Sequence, residues 1–332
     1  MKYLLVFVVV VILVGAGIFL YTQKKLQFPA YSGPVEKITI ANIGEYSVFN
    51  LIAKEKGYFK QNGLDATIVE YDSGATAIKA LLEGQANFAI GADFAGVRGI
   101  LANDNLRILV EVGEGKVFQL VARKDKGIST PADLEGKKIG FTAKTAGEFM
   151  LGRFLVFNNL SLKDVTVVNL PPDELATQIE SGQVDAVVAF DPLAYNIQKS
   201  LGNNGITWSA QGDQDIYALV YSTNTFIKAH PSIVERYLVS LIEAEQFLNE
   251  HNAEAKALVA KTLHYDGAYM QYMWPKSTFT LFLGQSLLLT LEDDARWIIE
   301  NKLTDKTEIP HFQDYIYKEP LKKLKMEAVT IY

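Results

Sequence analysis

The 332-residue chain contains no cysteine. That excludes disulfides, thiolate metal sites and a cysteine nucleophile, and it leaves no acceptor for a lipid anchor on sulfur. Histidine is scarce as well. His230, His251, His264 and His311 are the only four, and no two have the spacing of a metal-ligand pair, so neither a metal nor a cofactor is expected. Clustered positive charge is missing too. The formal net charge is −6, and outside "KKLK" at Lys322–Lys325 the basic residues are scattered, which argues against a nucleic-acid partner. There is no low-complexity tract that would mark a disordered arm.

The N-terminus is made of different material. From Leu4 to Tyr21, "LLVFVVVVILVGAGIFLY" is a run of 18 uncharged residues flanked by Lys2 and Lys24-Lys25. At a rise of about 1.5 Å per residue it just matches a hydrocarbon core of roughly 30 Å. A cleaved signal peptide normally has a shorter apolar core. Residues 1–25 are therefore expected to act as a signal-anchor in the cytoplasmic membrane, with a cleaved signal as the alternative. Residues 26–37, with Pro29, Gly33 and Pro34, read as a tether. The remainder is expected on the periplasmic or extracellular face of that membrane.

Beyond the tether one phrase occurs twice. "LLEGQANFAIGAD" runs from Leu81 to Asp93, and "QIESGQVDAVVAFD" from Gln178 to Asp191. Each holds a helix-stopping glycine, an apolar run and a terminal aspartate. Around each lies the same order of strand, helix, strand, helix, strand, starting at "KITIAN" and again at "KKIGF". The runs "FAIGA" and "AVVAF" lack polar alternation, as parallel strands covered on both faces do. A βαβαβ unit is thus written twice. Right-handed crossovers bring the C-terminal ends of the strands to one edge of each sheet, and that edge is where open α/β sheets bind ligands. Two such edges facing each other predict an α/β, two-lobed fold with a cleft between the lobes. The helical C-terminal part is expected to cover lobe one. The chain is expected to cross between lobes near Arg123–Ile128 and Tyr217–Asn224, giving lobe one as 38–124 plus 222–332 and lobe two as 125–221.

The segments "AKEKGYFKQNGLDATIVEYDSG", "LLEGQANFAIGAD", "TAGEFMLGRFL", "GQVDAVVAFDP" and "QSLLLTLEDDARW" resemble the periplasmic substrate-binding proteins of the aliphatic-sulfonate, taurine, nitrate and thiamine-precursor type. The resemblance spans about Ile38 to the C-terminus. It implies the type II periplasmic-binding-protein fold, closure around a small molecule, and delivery to an ABC transporter permease. In many relatives the last strand of the second unit ends Trp-x-Pro, whereas here it ends Phe190-Asp191-Pro192. Two other readings accompany this one: a membrane-anchored ligand sensor for a signalling partner, and an enzyme on the same fold. No motif for nucleophilic, metal or phosphate chemistry favours the enzyme.

Strand-end loops supply the candidate ligand residues. Lobe one offers Glu45, Tyr46, Ser47, Asp72, Ser73, Gly74, Asp93 and Phe94. Lobe two offers Lys144, Thr145, Ala146, Gly147, Glu148, Phe190 and Asp191, and Tyr217 lies on an expected hinge strand. Loops that open helices suit an anion. Against that, the acids Glu45, Asp72, Asp93, Glu148 and Asp191 would favour an amine or nitrogen heterocycle, with Tyr46, Phe94, Phe190 and Tyr217 as stacking faces. Sulfonate, amine and heterocycle all remain open at this point, with the acids tilting slightly toward the last two. Asp72 has the simpler alternative of capping the next helix, and Glu148 that of a first-turn residue facing the helix dipole.

Overall fold

The computed structural model describes Leu26, residues 28–212 and residues 214–332, with the side chain of Glu45 left out. The apolar run at 4–21, expected to be an anchor, lies outside the described residues. Among the described residues no helix is long and apolar enough to cross a membrane.

Residues 33–332 form one unit containing two sheets. The first sheet has the order β11-β4-β10-β3-β1-β2. Its strands are β1 (Glu36–Asn42), β2 (Leu64–Glu70), β3 (Phe88–Ala92), β4 (Leu106–Gly115), β10 (Ile216–Thr223) and β11 (Ser277–Thr278). The second sheet, order β7-β6-β8-β5-β9, holds β5 (Phe118–Arg123), β6 (Lys138–Phe141), β7 (Thr166–Asn169), β8 (Ala186–Phe190) and β9 (Gly205–Ser209). In each sheet the first strand of the repeated unit pairs in parallel with both others, β1 with β2 and β3, and β6 with β7 and β8. Strands β3 and β8 are buried along nearly their whole length, as their unbroken apolar runs require.

The repeated phrase has one structural meaning. Gly84 and Gly182 both adopt left-handed backbone, at φ 76° and 74°, a conformation glycine reaches without steric cost. One residue later, Gln85 N donates to Ala80 O at 2.9 Å and Gln183 N to Gln178 O at 3.0 Å. Each closes a helix by the same reach back to the preceding turn. Asn87 and Asp185 then dock the third strand of each unit onto the first.

The crossovers fall earlier than the sequence suggests. β5 belongs to the second sheet and β10 to the first, so the chain changes lobe at Gly115–Phe118 and again between Ser209 and Ile216. The expected crossings near Arg123–Ile128 and Tyr217–Asn224 each sit one strand too late. The physical reason is that "VEVGEGKVFQLVAR" passes from β4 to β5 with only Lys116 and Val117 between. No turn punctuates it. Glu36 likewise belongs to β1 and not to the tether, pairing with Leu64 in β2.

One side chain braces both crossovers. Gln211 is fully buried. Its Oε1 accepts from Val117 N at 2.6 Å and Phe118 N at 2.7 Å, and its Nε2 donates to Gly115 O at 3.0 Å and Gln214 O at 2.9 Å. The C-terminal helices cover lobe one. Tyr237 of helix Pro231–Glu250 stacks on Phe88 of β3 at 3.9 Å between ring centroids, and its hydroxyl donates to Asn50 at 2.8 Å. Helix Gln285–Glu300 reaches beyond lobe one: Trp297 meets Phe149 of lobe two edge-on at 5.4 Å and Phe94 of lobe one at 5.8 Å.

Candidate functional site: the interlobe cleft

The strand ends of the two sheets converge on a cleft of about 920 Å3, its open mouth included. Lobe one contributes the turn after β1 (Ile43, Gly44, Tyr46), the loop after β2 (Tyr71 to Ala75), and Ala92 and Ala95 after β3. Lobe two contributes Thr142 and Thr145–Gly147 after β6, Pro172 and Leu175 after β7, and Val188–Pro192 from β8. Val117, Phe118 and Ile216 form the floor at the crossovers. The walls are mostly apolar or aromatic. Among the described residues that line them, Asp72 and Asp191 are charged and none is Lys or Arg.

Two helices, one per lobe, begin at this cleft. Ser73 caps helix Gly74–Leu82, its Oγ accepting from Thr76 N at 3.3 Å, while Thr76 Oγ1 accepts from Ser73 N at 3.2 Å. This reciprocal box leaves the N–H groups of Gly74 and Ala75 without an intrahelical acceptor. Thr145 caps helix Ala146–Phe157 by accepting from Gly147 N at 3.2 Å, which leaves Ala146 N in the same condition. Gly74 is there for space: a Cβ at that position would stand 2.8 Å from Gly91 Cα in β3. The helix start therefore presses directly on the sheet. The sequence-based alternative for Asp72 needs correction, because Ser73, not Asp72, is the cap; Asp72 is exposed at the rim.

The acids are largely occupied. Asp93 is 1 % exposed and does not line the cleft. It accepts from Phe94 N at 2.7 Å and from Tyr217 N at 3.0 Å, tying the start of helix Asp93–Ala102 to β10. Burial pushes its carboxyl up to about 7, against the pull of those two N–H donors. Glu148 accepts from Lys144 N at 2.8 Å, closing a turn in which Lys144 takes left-handed backbone at φ 65°. Asp191 lines the cleft, accepts from Tyr195 N at 3.1 Å, and donates its own N–H to Val117 O at 2.9 Å. Burial raises its carboxyl to about 6, while Lys276, the Tyr272 hydroxyl and Tyr195 N pull the other way.

Of the residues singled out in the sequence, Tyr46, Asp72, Ser73, Gly74, Thr145, Ala146, Gly147, Phe190 and Asp191 line the cleft. Ser47 does not: its hydroxyl is engaged with the backbone of Ile43. Phe94 is wholly buried, stacked on Phe149 at 5.3 Å, so it is an interlobe packing residue and offers no stacking face to a ligand. Lys144 points outside the lining and is exposed, and Tyr217 and Glu148 also stand outside it. Glu45 sits in the turn Gly44–Ser47. Residues the sequence reading passed over include Gln211, the buried acids Glu111 and Asp294, and the Tyr195, Tyr272 and Lys276 group. Of these only Asp294, within "EDDARW", lies in a segment that carries the family resemblance.

Comparison with known proteins bears on this arrangement. The sequence model of the NMT1/THI5-like family matches residues 45–255. A Bacillus subtilis (strain 168) protein, provisionally named as binding aliphatic sulfonates, is 29 % identical over 267 residues, covering 77 % of this chain and 79 % of its own. The alkanesulfonate-binding protein SsuA from Xanthomonas axonopodis pv. citri, solved with MOPS bound, superposes with a TM-score of 0.73 at 19 % identity, covering 86 % of this chain and 100 % of that one. The desulfurization enzyme DSZB shares the fold at a TM-score of 0.63 and 16 % identity, over 88 % of this chain and 99 % of its own. The chain belongs to the NMT1/THI5-like family and has the fold of the periplasmic binding proteins.

Proposed function

We propose that the protein captures a small organic anion, a sulfonate with a short apolar body, between its lobes and hands it to an ABC transporter permease on the outer side of the cytoplasmic membrane. The observation that carries this reading is the convergence of two capped helix starts, with the N–H groups of Gly74 and Ala75 from lobe one and of Ala146 from lobe two, on one apolar-walled cleft. Unpaired N–H groups at a helix start, together with the helix dipole, hold an anion without a cationic side chain. Tyr46, Tyr71, Phe118 and Phe190 supply the surface for the apolar body. Three of the five acids that tilt the sequence reading toward an amine are engaged elsewhere: Asp93 and Glu148 by backbone N–H groups, Asp191 by Tyr195 N. The sulfonate binding named for the Bacillus subtilis relative and for SsuA points the same way. In this mechanism ligand bridges the lobes and stabilises the closed form, which the permease recognises.

A second reading, a zwitterionic aminosulfonate, is favoured by Asp72, which remains exposed in the lining and would take the amine. Thermal unfolding of the protein against alkanesulfonates, aminosulfonates, amines, nitrate and pyrimidines separates these. Ligand at a thousandfold over its dissociation constant stabilises the native state by about 4 kcal/mol. A shift with sulfonates supports the reading; a shift with amines or pyrimidines alone rejects it.

A further inference from the structure

Between helix Asn252–Thr262 and β11, both on lobe one, the segment "YDGAYMQYMWPK" (Tyr265–Lys276) bridges to lobe two. Its contacts run along helix Leu193–Leu201, which follows β8. Tyr272 and Tyr269 meet the ring of Tyr195 at centroid distances of 4.8 and 5.3 Å. Asp266 Oδ2 lies 3.6 Å from Lys199 Nζ. Lys276 Nζ sits 3.4 Å from the centre of the Tyr272 ring, a cation–π contact that orients both side chains. At the end of this group stands Asp191, an acid in the wall of the cleft, whose Oδ1 accepts from Tyr195 N at 3.1 Å. The contact of the Tyr272 and Tyr195 rings brings Tyr272 to the side of this acid, and Lys276, seated on the Tyr272 ring, adds a positive charge there; both come from the opposite lobe.

We infer that Tyr272 and Lys276 are positioning residues for ligand capture: reaching across from lobe one, they hold Asp191 and neutralise its field, so that the closed cleft admits an anion past a buried acid. The inference rests on the cleft being the ligand site. An unpaired carboxylate in this wall would repel a sulfonate across a poorly screened gap. Asp191 N bonds Val117 O beside the crossover, so the brace acts next to the hinge, where a small rotation moves the far rim most.

The test uses Tyr272→Phe, Lys276→Met and the double variant Lys276→Met/Asp191→Asn. Affinity for ethanesulfonate is read by calorimetry. Lobe separation is read between spin labels at Lys79→Cys and Asp173→Cys, exposed positions on the helices after the edge strands β2 and β7; labelling is specific because the chain has no other cysteine. Tyr272→Phe and Lys276→Met are each expected to weaken affinity roughly three- to tenfold, the net worth of one ordinary hydrogen bond, and to lengthen the label distance without ligand. Asp191→Asn should restore most of the affinity lost in Lys276→Met, a rescue that general loss of packing would not give. Failure of that rescue overturns the inference, as does a wild-type label distance in both single variants. If ethanesulfonate does not bind the wild type, the sulfonate reading falls by itself. The label distances then decide alone: a shift in the variants upholds the brace, and no shift overturns it.

Discussion

Asn87 and Asp185 hold the same position in the two lobes and make the same pair of bonds. Asn87 Oδ1 accepts from Thr39 N at 2.8 Å while Asn87 N donates to Thr39 O at 2.8 Å. Asp185 Oδ2 accepts from Lys138 N at 2.9 Å, and Asp185 N donates to Lys138 O at 2.8 Å. Each side chain satisfies a strand N–H at the point where the third strand of its unit starts. Alanine at either site leaves that donor unpaired, at an expected cost of about 1–2 kcal/mol. The sites lie in different lobes, so the two losses should add in the double variant. Urea unfolding of the three variants measures this.

Gln211 is a more severe case. Its amide makes four hydrogen bonds to both crossovers while fully buried. Gln211→Leu keeps the volume and removes every partner, and should cost about 2–4 kcal/mol in chemical denaturation. Gln211→Glu is also expected to be destabilising, because a buried carboxylate cannot donate to Gly115 O and Gln214 O.

The helix start in lobe one can be displaced by one carbon. Gly74→Ala sets a methyl 2.8 Å from Gly91 Cα, so the helix must lift off β3. Overpacking of this kind costs about 1–3 kcal/mol, and the N–H groups of Gly74 and Ala75 move with the helix. Sulfonate affinity is expected to fall about tenfold or more, equivalent to at least 1.4 kcal/mol. Calorimetry on the variant checks it, with Gly84→Ala as a comparison that strains the helix end away from the cleft.

Glu111 in β4 is 2 % exposed, and burial, with Glu114 and Asp93 beside it, pushes its carboxyl up from 4.5 to about 9. Between those values the folded state keeps a proton that the unfolded chain releases. Stability therefore falls as pH rises through the window. Glu111→Gln removes this dependence and should stabilise the protein at pH 8 relative to pH 5, by on the order of 1–3 kcal/mol. Asp93 and Asp294 shift in the same direction, so a shallower slope is expected to remain. Denaturation midpoints of both proteins at the two pH values decide it.

Much of this was legible in the chain because it is local or periodic. Gly84 and Gly182 announce helix ends, the apolar runs announce buried parallel strands, and the repeat itself announces two facing lobes. The site was legible only as far as strand ends predict proximity. Whether an acid at a strand end faces ligand or backbone depends on what approaches from elsewhere. Asp93 is taken up by Tyr217 N, 124 positions away in sequence, and no local pattern reports that. Asp191 meets Tyr272 only once a distant lobe-one segment has crossed over. The crossovers lie one strand earlier than the sequence suggests because only Lys116 and Val117 separate β4 from β5, so the run reads as continuous strand, while the signal on the return, "SAQGDQD", lies before β10.

β10 lies between β3 and β4 in the first sheet, antiparallel to both. The first 115 residues therefore cannot complete their own sheet. Its central gap is filled by a strand that leaves the ribosome only after all of the second sheet has been made. Lobe two, by contrast, is contiguous from β5 to β9 and has every strand it needs by Ser209. The chain is thus built so that its middle can fold first and its beginning must wait, a sequence-distant pairing of the kind that slows folding. A fragment ending near Ser209 would carry one finished lobe and one sheet with an open slot at its centre.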